Sequence, residues 1–164
     1  MGTVTSAGHQ GSLQSFPPLR RALTVPFFSR TAPGIRAAAT IGAVYSEQLL
    51  DHFQNPRNVG EIDNADLRVE VSNPICGDIL RLSARLADGR IAEIRYLTRG
   101  CTASIGVGSA LTLMLEGKSA AQAAVITRDQ VSDAVGGLSN ESQHAAVLAV
   151  DAVKALVAQM RARP

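Results

Sequence analysis

Hydrophobic and polar positions organise the chain from Tyr45 onward and leave the preceding segment without a pattern. Residues 1–43 carry no sustained apolar period, and Pro17-Pro18, Pro26 and Pro33-Gly34 would break any helix there. Ser46 then precedes Glu47-Gln48-Leu49-Leu50-Asp51-His52-Phe53. A capping hydroxyl followed by an acid in the first turn predicts a short helix. It should stop before Asn55-Pro56, because the residue ahead of a proline is pushed out of the helical region. Residues 57–66 read as a polar loop. Leu67–Val71 alternates apolar and polar side chains, as a half-buried strand does. Ile79–Leu86 and Ile91–Leu97 read as two further strands, and Asp88-Gly89 between them signals a tight hairpin. The three strands form an antiparallel meander.

After Cys101 the pattern becomes helical, over roughly 102–116. Ser104, Gly106, Gly108, Ser109 and Ala110 keep its early faces small. Two interior glycines cost about 1 kcal/mol each relative to alanine, so keeping them predicts close packing against another backbone or room for a bound group. Ser119 caps a short helix through Val125, Thr127 caps another near 128–135, and Gly136-Gly137 ends it. A last helix is expected from about Asn140 to Met160, with Asp151 and Lys154 paired on its wet face. Strands first and helices afterwards predict an α+β fold: a three-stranded antiparallel sheet with helices packed on one face. The folded domain is taken as 44–164, and 1–43 as an extension.

Composition sharpens this picture in three places. Only 4% of residues are aromatic, with no Trp, so the core must be built from Ala, Val, Leu and Ile. No run of 18 or more apolar residues is present, so no membrane-spanning segment is expected. The charge is uneven: Arg20, Arg21, Arg30 and Arg36 stand in a leader without acids, while the remaining 12 Lys and Arg face all 14 Asp and Glu, leaving the domain at −2. A domain near neutrality gives no reason to expect nucleic-acid binding. The Arg- and Ser-bearing, acid-free leader admits two expectations. It is a disordered or mis-assigned extension of a cytoplasmic protein, or a transit peptide that would place the protein in the mitochondrion.

The candidate chemistry lies in the two cysteines, the only ones in the chain. Cys76-Gly77-Asp78 occupies the turn between the first two strands, and Gly100-Cys101 follows the third strand. Glycine beside each thiol lets the backbone approach a bound ion, because no Cβ intervenes. Cys101 at a helix N-terminus would feel the positive end of the helix dipole, which favours thiolate, and Arg99 would add to the effect. Cys76 and Asp78 pair a soft donor with a hard one, a combination that zinc accepts. On the residues alone, other readings stay open: a disulfide, two unrelated thiols, or an Asp78 that merely caps its turn. His144 lies near the start of the last helix, His52 on the first helix reads as exposed, and His9 in the leader carries no signal. Gly106-Val107-Gly108 faintly suggests a dinucleotide loop, but Leu111 stands where a third glycine would be needed, and that reading is rejected.

Taken together, these residues resemble the NifU/IscU/SufU-type iron–sulfur cluster assembly scaffold family over roughly 45–160. The resemblance rests on Tyr45-Ser46, Asp51-His52-Phe53, Asn55-Pro56-Arg57-Asn58-Val59-Gly60, Cys76-Gly77-Asp78, Gly100-Cys101, Leu148-Ala149, Asp151-Ala152 and Lys154-Ala155. It implies a scaffold or carrier, not a turnover enzyme; a sulfurtransferase is a weaker alternative. Such a protein accepts sulfur from a cysteine desulfurase, binds iron, builds a [2Fe–2S] cluster and passes it to client apoproteins. It also implies the ligands: Cys76, Asp78, Cys101, and His144 beside a third cysteine. That third cysteine falls at Ala145. The segment read by a dedicated chaperone in one branch is here Leu138-Ser139-Asn140-Glu141-Ser142, so that partnership is not expected. What remains is a four-donor set of two sulfurs, one nitrogen and one oxygen, which suits zinc or a [2Fe–2S] cluster. Sulfur acceptance would then fall to Cys76 or Cys101. Two thiolates per chain also allow one cluster to be shared in a homodimer. The competing expectation is a zinc-stabilised module that docks on the desulfurase and modulates it without carrying a cluster.

Overall fold

The computed structural model describes residues 45–163; the expectations for the leader, including His9, lie outside them. The first helix, α1, spans Glu47–Gln54, and the Ser46 side chain accepts the Leu49 N–H at its start. Strands β1 (Leu67–Ser72), β2 (Ile79–Ala87) and β3 (Arg90–Arg99) follow as the expected antiparallel meander in the order β1-β2-β3. Asp88 and Gly89 have φ of 51° and 72°, and Ala87 pairs with Arg90 across them. Both central residues of the two-residue turn are left-handed, the geometry that matches strand twist. A register shift at Arg85/Leu86 marks a bulge next to that turn.

The helices follow: α2 (Thr102–Leu115), α3 (Ala120–Ala123), α4 (Arg128–Ala134) and α5 (Gln143–Ala162). Ser119 and Thr127 each close a capping box, with Gln122 and Gln130 reaching back to the cap N–H. The last helix differs from expectation at its start. A single 3-10 turn, Asn140–Ser142, comes first, and α5 begins at Gln143. The Asp151–Lys154 pair forms at 3.1 Å on its exposed side. Helices α2 and α5 lie against the sheet and bury Leu67, Leu82, Ile94 and Tyr96 against Val107, Leu111, Val153 and Leu156. The opposite face carries Arg81, Arg85 and Arg95, paired with Glu70 and Glu93. Helices on one face of a three-stranded sheet is thus the fold observed.

The two glycines of α2 are explained by close packing. A Cβ on Gly106 would stand 2.6 Å from Leu49 Cδ1, and one on Gly108 would stand 2.5 Å from the Tyr96 ring. Between the two alternatives left by the sequence, contact with neighbouring elements holds. Tyr96 is 2% exposed, and its hydroxyl donates to the Ile105 carbonyl at 3.0 Å. Burial pushes its phenol pKa upward.

The Asn55–Gly60 stretch locks to this same seam. Gly60 N–H donates to the Tyr96 carbonyl at 2.9 Å, and Tyr96 N–H donates to the Asn58 carbonyl at 2.9 Å. The loop therefore covers the free edge of β3 as an added parallel bridge, Val59 to Tyr96. The Ser109 hydroxyl oxygen accepts the Arg57 N–H at 2.9 Å and lies 2.9 Å from His52 Nδ1. His52 is therefore not the exposed residue expected: it is half-buried and tied to the loop. Burial first, and Arg57 second, lower its pKa from the ordinary 6.5.

Two outcomes follow from this packing. Gly108→Ala gains about 1 kcal/mol of helix propensity but drives a Cβ into an aromatic ring, and overpacking costs about 1–3 kcal/mol. The clash should win, and a urea midpoint that falls while the slope stays constant would show it. His52, with its folded pKa below 6.5, contributes stability in full above that pH and loses it as pH falls toward the folded value. Thermal midpoints of the native chain should therefore fall below pH 6.5, and His52→Gln should flatten that slope.

Candidate metal centre

Three separate segments converge at the end of the sheet where β2 begins and β3 ends. The turn Asn73–Asp78 brings Cys76 and Asp78 and is closed by Asn73 N–H donating to the Asp78 carbonyl and Gly77 N–H to the Asn73 carbonyl. Gly77 has a φ of 74°, which is what the turn asks of it, and open space surrounds its Cα. A φ in this region favours glycine, so its role in the turn is conformational. Cys101 is the N-cap of α2, with φ −79° and ψ 172°; its thiol makes no capping hydrogen bond and lies 3.4 Å from Ser104 Oγ. His144 is the second residue of α5.

The donors meet. One ligand atom each from Cys76, Asp78 and His144 lie within 4.8 Å of one another. His144 Nε2 is 3.6 Å from Cys101 Sγ and 3.5 Å from Asp78 Oδ2. Both cysteines are free thiols, which removes the disulfide reading. Cys76 is exposed, Cys101 and His144 are half-buried and Asp78 is 5% exposed, so the group runs from a solvent-facing thiol to a buried carboxylate.

Two supports were not legible in the sequence. His144 Nδ1 lies 2.7 Å from the Glu141 carbonyl. A carbonyl only accepts, so Nδ1 carries the proton and Nε2 is the atom presented to the site. The 3-10 turn that delays the start of α5 is what aims the Glu141 carbonyl at the ring. The second support is Gly100: a Cβ there would stand 2.6 Å from Asp78 Cγ. The Asp78 carboxylate therefore lies against a Cβ-free residue, and it is the Asn73 side chain, accepting the Ile75 N–H, that caps the turn. Arg99 is exposed at the end of β3. Ala145 is 1% exposed and belongs to the core beside the site.

The end of the sheet of this α+β domain gathers a thiol, a carboxylate and an imidazole, with a second thiol beside the imidazole, a donor set that could hold a metal ion. Residues 44–164 match the family model described as the NifU-like N terminal domain, and the chain belongs to that family. It is similar to the iron-sulfur cluster assembly scaffold protein IscU 1 of Archaeoglobus fulgidus, 45% identical over 111 residues, 68% of this chain and 72% of that protein. It is also similar to the scaffold protein IscU of Escherichia coli K12, 37% identical over 123 residues, 73% of this chain and 95% of that protein. Among solved structures, a NifU-like protein (N-terminal) from Brucella abortus superposes with a TM-score of 0.61 at 16% identity, covering 76% of this chain and 99% of the other. A putative scaffold protein for the SUF system from Fervidobacterium islandicum gives 0.57 at 17% identity, covering 71% and 98%. These two share the fold.

Gly100 offers a clean test of the carboxylate's place, since its backbone does not occupy the left-handed region and tolerates alanine. Gly100→Ala should displace Asp78 and weaken Zn²⁺ binding by about 10-fold or more, read by competition with a chromophoric chelator, with far-UV dichroism unchanged.

Proposed function

We propose that this chain is an iron–sulfur cluster assembly scaffold or carrier, which holds iron or a [2Fe–2S] cluster as cargo on Cys76, Asp78, Cys101 and His144. The observation that carries the reading is the convergence of Cys76, Asp78 and His144 within 4.8 Å of one another, with Cys101 Sγ 3.6 Å from the His144 Nε2. Similarity to proteins named as IscU scaffolds supports the same role. Two thiolates, a carboxylate and a neutral imidazole supply four protein ligands, the number a [2Fe–2S] cluster takes. Asp and His bind such a cluster more weakly than thiolates would, which suits a carrier that must give its cargo up. With Ala145 in place of a third thiol, the site holds one negative charge fewer than a three-thiolate set.

Partners follow from this chemistry. Sulfur must come from a donor protein, here a cysteine desulfurase, and the finished cluster must pass to client apoproteins. Of the two thiols, Cys76 is the exposed one and the one such a donor can reach. The site mouth is apolar on one side: Ile75 is 95% exposed beside a groove lined by Pro74, Val147 and Leu148, a surface that protein partners can cover. The protein acts by holding and handing over cargo, not by turnover. Zinc fits the same donors and is the convenient redox-silent probe.

Anaerobic addition of iron and sulfide to wild type, Cys76→Ala, Cys101→Ala and Ala145→Cys tests the proposal. Wild type should develop [2Fe–2S] absorbance, both cysteine deletions should lose it, and Ala145→Cys should hold the cluster longer against a chelator. A cluster in Ala145→Cys but none in wild type would sink the scaffold reading for this chain.

A further inference from the structure

Ser104 touches two of the four donors without being one of them. It is 3% exposed in the first turn of α2, three residues after Cys101. Its hydroxyl donates to Asp78 Oδ2, and its Oγ lies 3.4 Å from Cys101 Sγ. Among the described residues this is the one side-chain hydrogen bond the Asp78 carboxylate receives; its other polar neighbour is His144 Nε2 at 3.5 Å. A carboxylate that is 5% exposed is costly to leave without donors, so its position is set by whatever hydrogen-bonds it. Gly100 closes the other side of the same carboxylate. The Asp78 side chain is thus clamped between a missing Cβ and a hydroxyl.

We propose that Ser104 is a positioning residue that holds Asp78 in ligand geometry before metal arrives, and so sets the affinity of the site. The inference rests on the metal-site reading above and adds a residue to it. The mechanism is preorganisation: a ligand whose rotamer is already fixed loses little freedom when it coordinates. Residues that orient metal ligands in this way are typically worth about 10–100-fold in metal affinity. No role for Ser104 as a ligand is required. One hydroxyl proton, directed at Asp78, leaves its lone pairs toward Cys101.

The test is a double-mutant cycle on the full chain with Co²⁺ as probe, followed by sulfur-to-cobalt charge transfer and visible ligand-field bands. Ser104→Ala removes one atom and raises helix propensity, so the fold should persist, with far-UV dichroism as the check. Its Co²⁺ affinity should fall about 10–100-fold, with the sulfur-to-cobalt band retained. In an Asp78→Ala background, Ser104→Ala should change affinity by less than about 2-fold, because the carboxylate it acts through is gone. An unchanged affinity in the single variant overturns the inference and leaves the metal site standing. An equal loss in both backgrounds also overturns it, since a purely structural role predicts that result. No Co²⁺ binding by wild type overturns the inference together with the site.

Discussion

The approach of α2 to its neighbours is the constraint on which the rest of this molecule depends. Gly106 meets Leu49 of α1 and Gly108 meets the Tyr96 ring of β3, each at a distance that no side chain could occupy. Cys101 follows β3 by two residues, so the chain itself puts it at that end of the sheet, and the close packing of α2 fixes the direction in which the helix leaves. The same seam anchors the 57–60 loop, Asn58 and Gly60 through Tyr96 and Arg57 through Ser109. The glycines cost helix propensity, and the buried ring and loop they admit offset that cost.

Around that fixed thiol the remaining donors are held by hydrogen bonds and small residues. His144 is aimed by the Glu141 carbonyl, and Asp78 by the Ser104 hydroxyl and the space over Gly100. Cys76 alone sits on an exposed turn. A site with three supported donors and one exposed thiol combines order with access. That combination fits a protein that must receive and release cargo at the same place.

Much of this was legible in the sequence because it is local. The Asp88-Gly89 turn, the hydroxyl caps at Ser46, Ser119 and Thr127, and the alternating strands all follow from short-range rules, and the structure reproduces them. The four donors were named from their local contexts and from the family resemblance. What could not be read was what each donor leans on, because those contacts cross the chain. Ser104 was noted only as a small residue, yet it reaches back 26 positions to Asp78. His52 was read as exposed, yet it is tied to Ser109, 57 positions away. The 3-10 turn at Asn140–Ser142 has no strong composition signal, and its purpose is visible only once the Glu141 carbonyl is seen on the imidazole. Long-range support of side chains leaves no period and no dipeptide signature.

The central claim is that Cys76, Asp78, Cys101 and His144 act as one ligand set. X-ray absorption at the zinc edge of the zinc-loaded chain tests it most directly. The account predicts four-coordinate zinc with two sulfurs at about 2.3 Å and two nitrogen or oxygen donors at about 2.0–2.2 Å, with the sulfur shell halved in Cys76→Ala. A shell of one sulfur, or of oxygen and nitrogen alone, would contradict it.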